Sequence, residues 1–194
     1  MIEQPPPDST LSQAAEWFVR LLNEESIDFL VAGKSALGFL GEPVRSVDLD
    51  FLVLATPRDV GYALEPYVAR GDLHLVGAVP GGAVVGYLVG RTRVDILDAE
   101  SISLRLFDTL RTDGSADLVM GTAGTVRAVN NEGYFVLAVM AGLRGFAKEK
   151  RDPMRKVRDA WRLIGPRTNR EKIDALLAKL GKPGALARAL QPPL

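Results

Sequence analysis

Apolar residues recur at helical spacing near the start of the chain. Leu11, Ala14, Ala15, Phe18, Leu21 and Leu22 share one face of a segment that Ser9 or Thr10 can cap, which predicts a helix through about residue 25. The pattern then shortens. Residues 27–31, apolar but for Asp28, read as a buried strand, and Gly33 turns it into a short helix over 34–40. Residues 47–54 read as a second strand, and Pro57 opens a helix through 69, at the first helical position where proline is favoured. Residues 73–76, 83–89 and 92–97 read as strands, with turns at Gly81-Gly82 and Gly90-Arg91. Residues 102–110 are expected to be helical and 126–129 extended. From Asn131 the spacing is helical throughout. Asn131 can cap a run through 146, a second runs from Asp152-Pro153 to Ile164, Thr168 can cap a third through 180, and a short one follows Pro183. Strands mixed with helices, then helices alone, predict an α/β (α+β) chain: a mixed sheet with flanking helices and a helical C-terminal part. The expected organisation is a flexible arm over 1–8, which holds Pro5-Pro6-Pro7, a core over 9–128 and a helical region over 129–194.

The strand at 47–54 carries two aspartates, Asp48 and Asp50. Strands disfavour Asp, and positions i and i+2 point to the same face. Two carboxylates side by side repel unless positive charge sits between them. Mg2+ is the natural candidate, because it takes carboxylate oxygens and carries nucleotide phosphates. Leu49, Phe51 and Val53 are expected to face the core. Leu52 and Leu54, on the aspartates' own side, argue against a simple polar stripe; the other reading of the pair is an exposed edge strand. Asp95, between Val94 and Ile96, supplies a third carboxylate if its strand lies beside the first; otherwise it is a surface residue of a hairpin. Asp98 ends the same strand and is expected to cap the next helix. Gly33-Lys34-Ser35 mimics the end of a phosphate-binding P-loop, but Asp28 stands where that motif requires its first glycine, and 29–31 are strand residues.

A glycine turn at Gly33, a helix, then Arg45-Ser46-x-Asp48-x-Asp50 and a later strand Asp95 resemble the nucleotidyltransferase superfamily, the polymerase-beta-like fold, over roughly residues 27–97. The nearest resemblance is to its small prokaryotic members, the minimal nucleotidyltransferases and abortive-infection toxins. The resemblance implies that Asp48, Asp50 and Asp95 hold two Mg2+ (or Mn2+) ions, with Asp95 near the attacking hydroxyl. It implies that Gly33, Lys34, Ser35, Arg45 and Ser46 meet the phosphates of an NTP such as ATP. The reaction it implies moves an NMP to a hydroxyl on RNA such as tRNA, on a protein or on a small molecule, and a toxin–antitoxin setting is part of it. Ala36 matches the family's small apolar position. Lys34 departs from it, standing where the family has a second glycine or a serine. A lysine there either reaches a phosphate or blocks the usual approach, and the second case gives the alternative: the same fold kept as a binding or regulatory module. Arg45 contacts a phosphate, braces a carboxylate or is a solvated loop residue.

Composition narrows the chemistry. There are no cysteines, which excludes disulfides, thiolate zinc sites and a cysteine nucleophile. The single histidine, His74, excludes poly-histidine metal sites and is expected to be a hydrogen-bonded strand residue. No apolar run reaches twenty residues and no signal-peptide pattern is present, so a soluble cytoplasmic chain with no membrane partner is expected. The formal net charge of zero hides a division: residues 1–143 hold 10 basic and 19 acidic side chains, and 144–194 hold 14 basic and 5 acidic. An acidic front suits a metal, and a basic tail suits a polyanion or an acidic partner such as an antitoxin. Arg144, Lys148, Lys150, Arg151, Arg155, Lys156, Arg158 and Arg162 concentrate that charge, and Arg151, Arg155, Arg158 and Arg162 recur at helical steps. They form either a ridge for RNA phosphates, a protein or a triphosphate tail, or a solvated face. Trp161, in phase with Val157 and Ile164, is expected in the core.

Overall fold

The computed structural model describes residues 8–78, 84–145 and 152–192. Residues 1–7 of the expected arm, the Gly81-Gly82 turn and Lys148, Lys150 and Arg151 of the basic run lie outside the described residues.

The first helix, α1, spans Leu11–Glu24 and buries the predicted face together with Trp17 and Val19. Its start is a capping box: the Gln13 amide donates to the Thr10 hydroxyl at 3.3 Å, and the Thr10 amide donates to the Gln13 side chain at 2.9 Å. Thr10→Ala removes one half of this exchange and is expected to lower stability by about 1 kcal/mol, read as the midpoint of urea unfolding.

Seven strands form one mixed sheet among the described residues: β1 Phe29–Ala32, β2 Asp48–Val53, β3 His74–Ala78, β4 Val84–Val89, β5 Thr92–Asp98, β6 Ser115–Val119 and β7 Thr125–Val129. Their spatial order is β3-β4-β5-β2-β1-β7-β6. β2 runs parallel to β5, and β1 parallel to β7; the remaining pairs are antiparallel. The helices after α1 are α2 Gly33–Phe39, α3 Pro57–Ala69, α4 Ala99–Ile102, α5 Leu106–Asp113, α6 Asn131–Leu143, α7 Arg155–Ile164, α8 Arg170–Lys179 and α9 Ala185–Ala189. None of the described helices is long and apolar enough to cross a membrane.

Two apolar cores cover the two faces of the sheet. Val31, Phe51, Val53, Val94 and Ile96 pack with Phe18 and Leu22 of α1 and with Val60 and Leu64 of α3. Leu30, Ala32, Leu52 and Val129 pack with α5, α6, α7, α8 and α9. The C-terminal helices therefore share a core with the sheet. Leu52, on the aspartates' side of β2, is fully buried in that second core, whereas Leu54, just past the strand, is exposed. Trp161 packs there as expected, edge-on to Phe135 at 5.0 Å.

The sequence reading differs in four places. β6 was absent from it, because Ser115-Ala-Asp-Leu-Val has only a short apolar signal; pairing with β7 in register makes it a strand. The helix expected over 102–110 is two, broken where Ser103 takes an extended backbone. Asn130, not Asn131, caps α6 by accepting from the Gly133 amide at 3.0 Å. Asn169, not Thr168, caps α8 by accepting from the Lys172 amide at 3.0 Å. Adjacent residues compete for each cap, and spacing alone does not choose between them.

Candidate active site

β2 and β5 set the geometry. In their parallel register Asp50 lies opposite Asp95, and Asp48 lies opposite Arg93. On the other side of β2, Asp50 pairs with Ala32 at the end of β1. One patch of one sheet face thus holds Asp48, Asp50, Arg93 and Asp95. Asp95 is buried, and Asp48 and Asp50 are partly exposed.

The turn after β1 closes down on this patch. Gly33 has φ +67°, the left-handed region where a side chain is strained. An ideal Cβ there would fall on Asp50 Oδ2 and lie 2.7 Å from Asp50 Cγ. The missing side chain is the space the carboxylate occupies. Ser35 is buried, and its hydroxyl donates to the Ala32 carbonyl at 3.1 Å, holding the turn. The Ser46 hydroxyl lies 2.7 Å from Asp48 Oδ1 and 2.9 Å from the Asp48 carbonyl, which orients that aspartate. Arg45 is exposed and has no hydrogen bond or ion pair among the described residues. Asp98 caps α4, accepting from the Glu100 amide at 2.9 Å. His74 is exposed at the edge of the sheet, and its side chain makes no hydrogen bond among the described residues, unlike the bonded strand histidine expected.

Arg93 is a counter-charge that the spacing of the carboxylates did not reveal. Its Nε donates to Asp95 Oδ1 at 2.8 Å, from a side chain 42% exposed to one 6% exposed. Gly86 of β4 lies opposite Asp95 and makes room for this pair: a Cβ there would lie 3.1 Å from Asp95 Oδ1 and 3.3 Å from Arg93 Nη2. The clue in the sequence is the i−2 spacing, which puts Arg93 on the face of Asp95. Arg93→Gln leaves the buried carboxylate without that donor. We expect a loss of about 1–2 kcal/mol, measured by urea unfolding.

The donor chemistry of the patch fits a hard divalent cation: carboxylate oxygens from adjoining positions, one of them seated beneath the Gly33 turn. Their present arrangement is not a closed ligand cage. Among the described residues no three His, Asp or Glu side chains stand together as a metal-holding group. Asp48 and Asp95 each give an oxygen to a neighbour, Ser46 and Arg93.

A groove of about 230 Å3 opens beside the patch, between α2, α6 and α7. Lys34, Tyr134, Arg155, Lys156 and Asp159 supply its polar lining, and Leu37, Val44 and Leu163 its apolar walls. Burial, and then the negative charge of Asp50, push the Tyr134 hydroxyl up to about 12. That coupling ties the groove to the carboxylates. Tyr134 was not singled out from the sequence, since a tyrosine in the first turns of an apolar helix carries no distinguishing spacing.

The basic ridge is partly internal. Arg158 donates to the Ala189 and Gln191 carbonyls at 3.1 Å and pairs with Asp152, so it braces the C-terminal segment. Arg144 donates to the Ile102 carbonyl at 3.0 Å. Arg155 and Arg162 share Asp159, at 3.6 and 3.0 Å.

Comparison with solved structures places this topology. The chain superposes on an antigenic nucleotidyltransferase-like protein from Paracoccidioides brasiliensis with a TM-score of 0.54 and 18% identity, over 93% of this chain and 91% of that one. ANT(2'')-Ia, an antibiotic-resistance factor, superposes with a TM-score of 0.52 in its solution structure, at 15% identity over 87% of this chain and 90% of that one. Its complex with adenylyl-2''-tobramycin gives 0.52 and 16%, over 88% of this chain and 97% of that one. The fold is that of the nucleotidyltransferases. No family model and no curated protein matches the sequence. The nucleotidyltransferase fold is thus visible in the path of the backbone, where these comparisons of sequence find nothing.

Proposed function

We propose that this chain is a metal-dependent nucleotidyltransferase that moves an NMP from an NTP to a hydroxyl acceptor. The observation that carries this reading is the register of Asp50 with Asp95 beneath the Gly33 turn. Asp48, Asp50 and Asp95 would hold Mg2+ (or Mn2+), with Asp95 freed from Arg93 for that role. The cation supplies charge neutralisation at the reacting phosphate and at the departing pyrophosphate. The chain's own residues do the rest. Ser46 orients Asp48, and the glycine turn shapes the phosphate approach. Asp95 takes the proton of the acceptor hydroxyl. The acceptor oxygen bonds to the α-phosphorus as its bond to the β-bridging oxygen breaks, and pyrophosphate leaves.

The acceptor is open among RNA such as tRNA, a protein and a small molecule. The complex of ANT(2'')-Ia with adenylyl-2''-tobramycin supports an adenylyl donor, hence ATP, and a small-molecule acceptor. The basic C-terminal helices support RNA or a protein partner, including an antitoxin, in a cytoplasmic toxin–antitoxin setting. A second reading, a binding or regulatory module with the same fold, is favoured by two observations: Lys34 at the mouth of the groove and Arg93 on Asp95.

The test is to incubate the protein with each α-labelled NTP, Mg2+ or Mn2+, total RNA and cell extract. Label is expected in one acceptor class, from one preferred NTP, and not after chelation. Absence of label from every fraction, with the protein folded, moves the assignment to the second reading.

A further inference from the structure

We propose that Glu42 is a positioning residue for the carboxylate patch: it latches the connection between α2 and β2 onto the first turn of α6. The latch stands apart from the proposed function, and its effect on transfer rests on that reading.

The connection is rigid where it leaves α2. Gly41, at φ +90°, ends the helix; its amide donates to the Gly38 carbonyl at 3.1 Å, and the Glu42 amide donates to the Leu37 carbonyl at 2.9 Å. Glycine takes this left-handed ending readily, and the two bonds fix the backbone of Glu42. The Glu42 carbonyl then accepts from the Val44 amide at 2.7 Å, around Pro43. Val44 packs against the core of the C-terminal helices. Ser46, which bonds to Asp48, follows.

The Glu42 side chain crosses to those helices. Asn131 Nδ2 donates to Glu42 Oε1 at 2.7 Å, bridging 89 residues of sequence. Arg167, in the turn Gly165–Arg167 after α7, stands 3.5 Å from Glu42 Oε2. The Glu42 side chain is 21% exposed, so the carboxylate is largely withdrawn from water. A charge in that position is costly unless partners hold it. Glu42 Oε2 is buried with no hydrogen-bond donor among the described residues, so Arg167 holds it by charge alone.

The far end of the latch gives it a bearing on the site. Asn131 and Tyr134 lie one turn apart on α6 and share a face. Asn131 grips Glu42, ahead of Asp48, and Tyr134 is close enough to Asp50 for that charge to act on its hydroxyl. One turn of one helix therefore places both aspartates of β2. Reacting groups tolerate little displacement: a shift of about 1 Å can cost on the order of 10^2-fold in rate.

The test pairs steady-state label transfer with hydrogen–deuterium exchange of the full chain. Glu42→Ala is expected to speed amide exchange over residues 42–48 about tenfold and to leave α1 unchanged. It is expected to lower kcat about 30-fold, with KM for the NTP within about threefold of the wild type. Asn131→Asp sets a second carboxylate against Glu42 and is expected to do the same. An acid at the first position of a helix is otherwise favourable, so that loss arises at Glu42 and not in α6. Adding Glu42→Gln to Asn131→Asp exchanges donor and acceptor. The double variant is expected to recover both exchange and kcat to within about threefold of the wild type. A residue that only supports stability leaves kcat unchanged in every variant at temperatures well below unfolding. That result overturns the inference, as does unchanged exchange over 42–48 in Glu42→Ala, or a folded double variant that recovers nothing. Faster exchange in Glu42→Ala and in Asn131→Asp, reversed in the double variant, in a chain that transfers no label sinks the proposed function and leaves the latch standing. Transfer retained in full by Glu42→Ala does the reverse.

Discussion

Asp50→Asn is expected to lower nucleotidyl transfer by about 10^3-fold while the protein unfolds at the same temperature or a higher one. Asparagine keeps the size of the side chain and an acceptor oxygen, so the turn above it is undisturbed. What it removes is charge. Asp50 and Asp95 are directly opposed on parallel strands, with Asp48 two residues along the same face. Like charges directly opposite destabilise a sheet by roughly 0.2–1 kcal/mol. Under the proposed function that repulsion is maintained because the patch receives a cation during the reaction. Removing one carboxylate relieves the repulsion and takes away a ligand together. The measurement pairs the label-transfer assay with thermal unfolding. Asp48→Asn is expected to follow the same pattern, with its amide oxygen still able to accept from Ser46; the worth of that hydrogen bond can be read separately in Ser46→Ala. A variant at either position that keeps full activity removes the carboxylate patch from the mechanism. One that loses activity by unfolding gives no support to a catalytic role.

The elements that set this geometry were legible in the sequence to different degrees. β2 announces itself, because two aspartates interrupt an otherwise apolar run. α1 is written in its 3.6-residue period and its Thr10 cap, and the structure keeps both. The second apolar core was not legible. Leu52 and the C-terminal helices lie far apart in sequence, and only the topology brings them together. Arg93 is two residues from Asp95, yet its role depends on Gly86, which β4 brings opposite. Tyr134 and Lys34 meet across about a hundred residues of chain in one groove. Local patterns report the face a residue points to; what stands on the other side of that face is a property of the fold. The basic run shows the same limit. Its spacing suggests one continuous ridge, but Arg158 turns to the carbonyls of Ala189 and Gln191, which the spacing does not contain.

Gly33→Ala is expected to be the most damaging single-methyl change in the described site, costing about 2–4 kcal/mol in stability and abolishing transfer. Two terms add. At φ +67° any side chain pays roughly 1–2 kcal/mol for the left-handed conformation. The new Cβ also meets Asp50, and overpacking of that kind costs about 1–3 kcal/mol. Rotating the carboxylate relieves only part of the clash. Oδ2 and Cγ can swing away, but Asp50 Cβ lies 2.9 Å from the new methyl and moves only if β2 moves. Whichever way the strain is relieved, the carboxylate leaves the position that faces Asp95, so activity falls with stability. Gly41→Ala separates the two terms. Gly41 has φ +90°, and a Cβ there meets nothing within 4 Å. Its unfolding midpoint in urea should report the backbone penalty alone. The excess loss in Gly33→Ala then measures the contact with Asp50. Equal losses at the two positions, with activity retained in Gly33→Ala, would mean that the turn does not press on the carboxylate.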